Sequence, residues 1–299
     1  MRTYQIFSDG ACDIPLAEAE QNALQLIPFY VSLDHQTYLK EQSELSLKDF
    51  YHFLHIEQGF PKTSLPSVQD YIDKFTPILE QGKDVVSCHI THTLSGSVQS
   101  ALTAKMMLED TYPNANIYVV DTWNATGSQA LLLMEALRMQ KEGKSAEDVV
   151  TYLEAARADS SIIFIVGGLK HLQHGGRIGK IASISGSILK IKPLIQLQNG
   201  EIHSCGIARS RKKGLSEIIR LTQQHFATSH ENPADYIGMV GTTDSKEEAL
   251  QVEQQLKETI PHLHCFPVFH IGAAIASHTG PGTLGVCFVK KYEHYFTKP

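Results

Sequence analysis

The apolar positions of the first half of the chain switch repeatedly between a period of two and a period near 3.6. Tyr4-Gln5-Ile6-Phe7 reads as a strand ending at Ser8-Asp9-Gly10, Leu26–Leu33 as a second, Asp84–Ile90 as a third and Ile117–Val120 as a fourth. Between them, Val68, Ile72, Phe75 and Leu79 recur at helical spacing behind a Ser67/Asp70 capping box. A further helix begins near Ser95 and runs through Ala101, Leu102, Met106 and Leu108. Another carries Leu132, Leu133, Ala136 and Leu137 and ends near Gly143, and Ser145 with Asp148 opens the next. Strand–helix alternation of this kind predicts a parallel sheet covered on both faces.

The second half has a different rhythm. Ile162–Val166 is a buried-strand run. Pro193–Leu197 and Glu201–Ala208 flank Asn199-Gly200, a strong hairpin signal. Helices are expected near Leu215–Phe226 and Ser245–Ile260, the latter with a Ser245/Glu248 capping box. Further strands are expected at Tyr236–Val240, Phe266–Ile271 and Leu284–Val289. This pattern predicts a mixed sheet with helices mainly on one face. The boundary between the halves falls near Asp159, giving domains 1–158 and 159–299.

Composition narrows the classes. Of 299 residues, 42% are hydrophobic and 19% charged, enough apolar material for packed cores. The net charge of −6 argues against nucleic acid as a partner, with Arg209, Arg211, Lys212 and Lys213 as a local basic run. The five cysteines are scattered and form no Cys-x-x-Cys pair, and no charged leader or membrane-length apolar stretch is seen, so a cytoplasmic setting without stable membrane insertion is expected.

Several loops at strand ends carry candidate chemistry. Thr91-His92-Thr93-Leu94-Ser95-Gly96-Ser97 leads from a strand into a helix, where free N–H groups, the dipole and the hydroxyls of Ser95 and Ser97 suit an anion; a plain helix cap accounts for the same residues. In Lys62–Ser67, Thr63 and Ser64 are possible donors to the same anion or parts of an ordinary helix-entry loop. Asp9 suits a metal, a proton, a hydroxyl or merely its own turn. His171 and His174, like His89 and His92, share His-x-x-His spacing without the carboxylate or cysteine of a metal motif. Arg177 after Gly175-Gly176 suits an oxyanion or a structural ion pair. His278, before Gly280-Pro281-Gly282, suits hydrogen bonding to a carboxylate or phosphate, or proton transfer. No P-loop and no Gly-x-Ser-x-Gly elbow is present, which weakens a kinase or hydrolase acting alone.

Taken in order, Ser8-Asp9, Lys62-Thr63-Ser64-x-Pro66-Ser67, Leu94-Ser95-Gly96-Ser97, Val120-Asp121-Thr122, Gly175-Gly176-Arg177-Ile178, Arg209–Lys213 and His278–Gly282 resemble the DegV family of fatty-acid-binding proteins over essentially the whole chain. The resemblance implies a three-layer α/β/α domain with a parallel sheet followed by a two-layer α/β domain with a mixed sheet. It implies a long-chain fatty acid as ligand, with no cofactor and no metal. Its carboxylate would be held by Thr63, Ser95 and Gly96, with Asp9, Arg177 and His278 near the head group. The family's role, presenting the acid to a separate fatty acid kinase that makes an acyl phosphate for phospholipid synthesis, implies a carrier rather than an enzyme. Arg209, Arg211 and Lys212 would suit docking to the kinase. His92 departs from the smaller residues usual before Leu-Ser-Gly. Leu169, Ile178, Ile184, Ile188 and Ile191 are candidates for the tail tunnel, with a plain core role as the alternative for each. A stand-alone hydrolase or kinase, or a regulatory member without ligand, are the alternatives.

Overall fold

The computed structural model describes residues 2–181 and 191–296. Strands and helices are numbered along the chain. β1 (Tyr4–Asp9), β2 (Gln25–Ile27), β6 (Asp84–His89) and β7 (Ile117–Asp121) form an all-parallel sheet in the order β2-β1-β6-β7. Both faces are buried, as its near-continuous apolar strands require. Phe7, Ile27, Val85 and Ile117 meet α3 (Val68–Glu80) and α4 (Ser97–Glu109) through Tyr71, Phe75, Ala101 and Leu108. Ile6, Val86, Cys88 and Val120 face α5 (Thr126–Lys141) and α6 (Ala146–Ala156). The capping boxes at Ser67/Asp70 and Ser145/Asp148 are both formed. A short α1 (Leu16–Gln21) precedes β2.

The second sheet contains β8 (Ser161–Ile165), β9 (Lys192–Gln198), β10 (Glu201–Ala208), β11 (Tyr236–Thr242) and β14 (Leu284–Lys290). Their order is β10-β9-β8-β14-β11, all antiparallel. β12 (His264–Cys265) and β13 (Phe269–His270) add to the free edge of β11 in parallel, so the sheet is mixed. Its side chains alternate, apart from a register shift in β10 between Ser204 and Gly206. Ile163, Ile165, Val286 and Phe288 face α8 (Arg211–Ser229) and α9 (Lys246–Thr259), while Ile162, Phe164, Cys287 and Val289 face the other way. That inner face is covered by α5 and α6, which also cover the first sheet. The order of layers is therefore α3/α4, parallel sheet, α5/α6, mixed sheet, α8/α9, and one apolar core spans both halves.

Three local expectations are corrected. Leu26–Leu33 is two strands in two sheets, because Pro28 supplies no ladder N–H and turns the chain after β2. The continuation, β3 (Tyr30–Ser32), pairs with β4 (Leu39–Lys40) and β5 (Lys62–Ser64) in a small antiparallel sheet. Of Phe266–Ile271 only Phe269–His270 is strand, as β13; β12 ends at Cys265, ahead of Pro267. The Ser245 side chain makes no cap bond, and Glu248 is instead held by Arg211. Helices near the small sheet also went unread: α2 (Leu47–His52), α7 (Lys170–His174) and α10 (Ala273–Thr279). Ile271, Ala273 and Ala276 pack with Val31, Phe50 and Leu54, tying α10 to the small sheet. At the hairpin, Asn199 and Gly200 both have positive φ, 51° and 79°, as a type I′ turn requires.

Candidate functional site

A cavity of about 250 Å³ lies between the two sheets, beyond the carboxyl ends of β1 and β6 and the start of α5. Most of its wall is apolar, from residues such as Phe29, Ile90, Ile162, Leu197, Ile202 and Ile275. Its polar groups include Thr63, Ser95, Arg177 and His278, from four separate segments of the chain.

Each of these four is held by its local fold. Thr63 lies on β5, and its Oγ1 is 2.7 Å from Nε2 of His278 on α10. Ser95 is buried in the turn between β6 and α4, and its Oγ accepts the Ser97 N–H at 3.2 Å. Arg177 follows α7. Its Nε donates to the Leu94 carbonyl at 3.0 Å and its Nη1 to the Gly175 carbonyl at 2.6 Å, so the guanidinium is pinned beside the Ser95 turn. A Cβ at Gly175 would lie 2.0 Å from His278 Nδ1, so this glycine gives the imidazole its place. Burial, then the charge of Arg177 and the neighbouring His171, push the His278 pKa down to about 4. The imidazole is therefore neutral at neutral pH. His278 Nδ1 is buried and has no hydrogen-bond partner among the described residues.

Gly96 is the N-cap residue of α4 and is exposed; it stands next to Ser95 but outside the cavity lining. Asp9 is fully buried beneath the turn. Its Oδ2 accepts the Ile90 N–H at 3.1 Å and the Ser97 hydroxyl at 2.6 Å, and its Oδ1 accepts from Gln129 Nε2 at 2.9 Å. The Ser97 hydroxyl thus points inward, into a network with Tyr71 and His89, and is not a donor to the cavity. Asp9 reaches the site only through Ser97 and the turn.

The histidine pairs separate. His89 is buried against Asp9 and Tyr71, whereas His92 is exposed and pairs with Asp121 at 2.6 Å. His171 and His174 pack on the Phe60 ring, at centroid distances of 4.7 and 4.0 Å. Leu169 and Ile178 pack on the shared core rather than lining the cavity, Ile191 is half-buried, and Ile184 and Ile188 lie outside the described residues. In the basic run, Arg209 and Lys212 are exposed. Arg211 is held by Glu248 at 2.5–3.0 Å and by the Gly282 carbonyl.

Two buried carboxylates were not singled out from the sequence. Glu41 accepts the N–H groups of Phe29 at 3.0 Å and Ala274 at 3.2 Å, linking the segment before β3 to the start of α10. Burial raises its pKa to about 7, opposed by those two bonds. Asp13 accepts from the Thr126 hydroxyl at 2.5 Å, and burial again raises its pKa well above the carboxylate range. No motif announces either one. Glycines make room for both: a Cβ at Gly10 would fall 2.0 Å from Glu41 Oε1, and one at Gly272 2.5 Å from Asp13 Oδ1.

A largely apolar cavity with polar groups from several segments, set between a parallel and a mixed sheet, defines an α/β protein with a pocket of the kind that holds small molecules. The family model that matches is that of the DegV family, described as uncharacterised proteins, over residues 3–291, and the chain belongs to this family. It is 31% identical to a DegV domain-containing protein of Clostridium perfringens, over 97% of this chain and 98% of the relative. Among solved structures, a stearic acid-binding protein from Eubacterium ventriosum superposes with a TM-score of 0.91 at 36% identity, covering 98% of this chain and all of the other. A fatty acid-binding DegV family protein from Thermus thermophilus gives 0.85 at 30% identity, covering 97% and 100%. No described helix is long and apolar enough to cross a membrane.

Proposed function

We propose that this chain is a carrier that binds one long-chain fatty acid, carboxylate at the polar end of the cavity and tail along its apolar walls. The observation that carries the reading is the convergence of Thr63, Ser95, Arg177 and His278 at one largely apolar cavity. A carboxylate calls for a few strong donors, and hydroxyls, a guanidinium and a neutral imidazole provide them. Each buried methylene then adds roughly 0.8 kcal/mol. Gly96 contributes by letting the Ser95 turn approach the head group, and Asp9 by fixing that turn from below. In this reading residues 1–158 supply the Thr63 and Ser95 loops, and residues 159–299 close the pocket with Arg177 and His278.

The resemblance to fatty-acid-binding DegV proteins supports a role as the substrate-presenting partner of a fatty acid kinase in the cytoplasm, feeding acyl phosphate to phospholipid synthesis. Arg209 and Lys212 are free to meet such a partner. Arg211 serves the docking face by anchoring it, since its guanidinium is already paired. Mass spectrometry of an organic extract of the natively purified protein tests the carrier reading: one class of fatty acid near one-to-one stoichiometry is expected. A protein that is empty and takes up no added acid sinks it. ATP consumption that requires both kinase and acid-loaded carrier tests the partnership; consumption by the carrier alone would overturn it.

A further inference from the structure

The tip of the β9–β10 hairpin is not free in solvent. Asn199 is exposed, but Gly200 beside it is buried. In a two-residue turn the carbonyl of the second residue has no ladder partner, so once buried it needs donors from elsewhere. It finds two, both on the turn that carries Ser95: the hydroxyl of Thr91, at 2.9 Å, and that of Thr93. Thr91 is fully buried. Gly200 has a φ of 79°, and a Cβ there would lie 2.9 Å from Thr91 Oγ1 and 3.4 Å from Cγ of Trp123, so the tip fills a socket walled by these residues. The Trp123 wall is itself braced. The Arg157 guanidinium lies 4.2 Å from its ring and donates to the Asp121 carbonyl at 2.9 Å.

Thr91, Thr93 and Gly200 do not line the cavity, yet they join two elements that do. On one side, the Thr91 carbonyl accepts the N–H groups of Leu94 and Ser95, at 3.0 and 3.2 Å, and both of those residues line the cavity. On the other, Leu197 of β9 and Ile202 of β10 line it. Ser95 Oγ accepts the Ser97 N–H, which leaves its own proton to donate to a ligand. Ser95 comes from residues 1–158, whereas Arg177 and His278 come from 159–299, so the spacing of these donors depends on what crosses between the halves at this turn. Arg177 crosses to the Leu94 carbonyl, but it is itself one of the donors. The hydroxyls of Thr91 and Thr93 cross to Gly200. Resting on the carrier reading above, we infer that this second link is a strut. Thr91 and Thr93 are positioning residues, which hold the Ser95 hydroxyl where it and Arg177 meet one carboxylate.

The test is displacement of a fluorescent fatty acid from the intact chain by hexadecanoic acid and by hexadecanol, which share a tail and differ at the head. The quantity read is the ratio of the two affinities. Thr91→Val with Thr93→Val keeps the side-chain shape but leaves the buried Gly200 carbonyl without a donor, so the tip lifts and the turn loses its fix. This double variant should lose about tenfold in the acid-to-alcohol ratio, the effect of roughly one hydrogen bond to a charged group. A general loosening of the cavity would lower both affinities together and leave the ratio alone. Thr91→Ser with Thr93→Ser, which keeps both hydroxyls, should restore the ratio. On a Ser95→Ala background the valines should lower it no further, because the hydroxyl they act through is gone. Thr93→Val alone, at an exposed position, should shift the ratio in the same direction, which covers a double variant that fails to fold. An unchanged ratio in a folded valine variant overturns the proposal, as does an equal loss with or without the Ser95 hydroxyl. If the unaltered chain binds neither compound, or binds the acid no better than the alcohol, the carrier reading has failed and the proposal with it. That result is seen in the unaltered chain alone, so the two failures are distinguishable.

Discussion

Replacing Glu41 by glutamine removes a buried carboxyl that titrates near neutrality. Its pKa stands at about 7 in the folded protein against an ordinary 4.5, because burial disfavours the charge more than the Phe29 and Ala274 N–H groups favour it. Between these values the folded protein holds a proton that the unfolded chain has released. Stability from this group is thus complete below pH 4.5, falls as the pH rises, and is gone above about pH 7. The interval of 7 minus 4.5, at about 1.4 kcal/mol per unit, makes the effect about 3 kcal/mol. Glu41 is almost fully buried, so solvent screening takes little from it. The assay is urea unfolding of both proteins from pH 4.5 to 8. Asp13, also raised by burial, titrates in both, so the difference between the two curves isolates Glu41 to first order. The stability advantage of the unaltered protein should shrink by about 3 kcal/mol across that range. A difference independent of pH would refute the buried, neutral carboxyl.

Other expectations follow from the same contacts. Arg177→Ala should weaken fatty acid binding by about 10- to 100-fold in a displacement assay, since a hydrogen bond to a charged group contributes about 1.5–3 kcal/mol. Arg177→Lys should restore only part, because a point charge cannot hold the Leu94 and Gly175 carbonyls and the ligand together. Asp9→Ala strands the Ile90 N–H, the Ser97 hydroxyl and the Gln129 amide, and should cost about 3–5 kcal/mol in urea unfolding. Ser67→Ala, which removes a formed cap, should cost about 1 kcal/mol. Ser245→Ala should change stability by only a few tenths of that in the same assay, because its hydroxyl caps nothing.

The alternation of apolar positions was enough to determine the parallel sheet, the hairpin at Asn199-Gly200 and the helices α3, α5 and α6, because each is encoded by neighbours in sequence: period, cap and turn residue. The segments around Thr63, Ser95, Arg177 and His278 stood out for their donor side chains beside turn residues, although Thr63 proves to lie on strand β5 and His278 on helix α10. Their convergence was not. It depends on α10 reaching back to the small sheet and on α5 and α6 serving both large sheets, contacts that span up to 215 residues and leave no local period. The inward turn of Ser97 and the neutral carboxyl of Glu41 arise from burial, which a sequence position does not carry. The capture of Arg211 by Glu248 arises from the meeting of α8 and α9. The packing around Phe269 is decided the same way: Gly127 and Gly241 are ordinary as letters, and only strand register and the close approach of α5 reveal that a Cβ at either would meet the Phe269 ring.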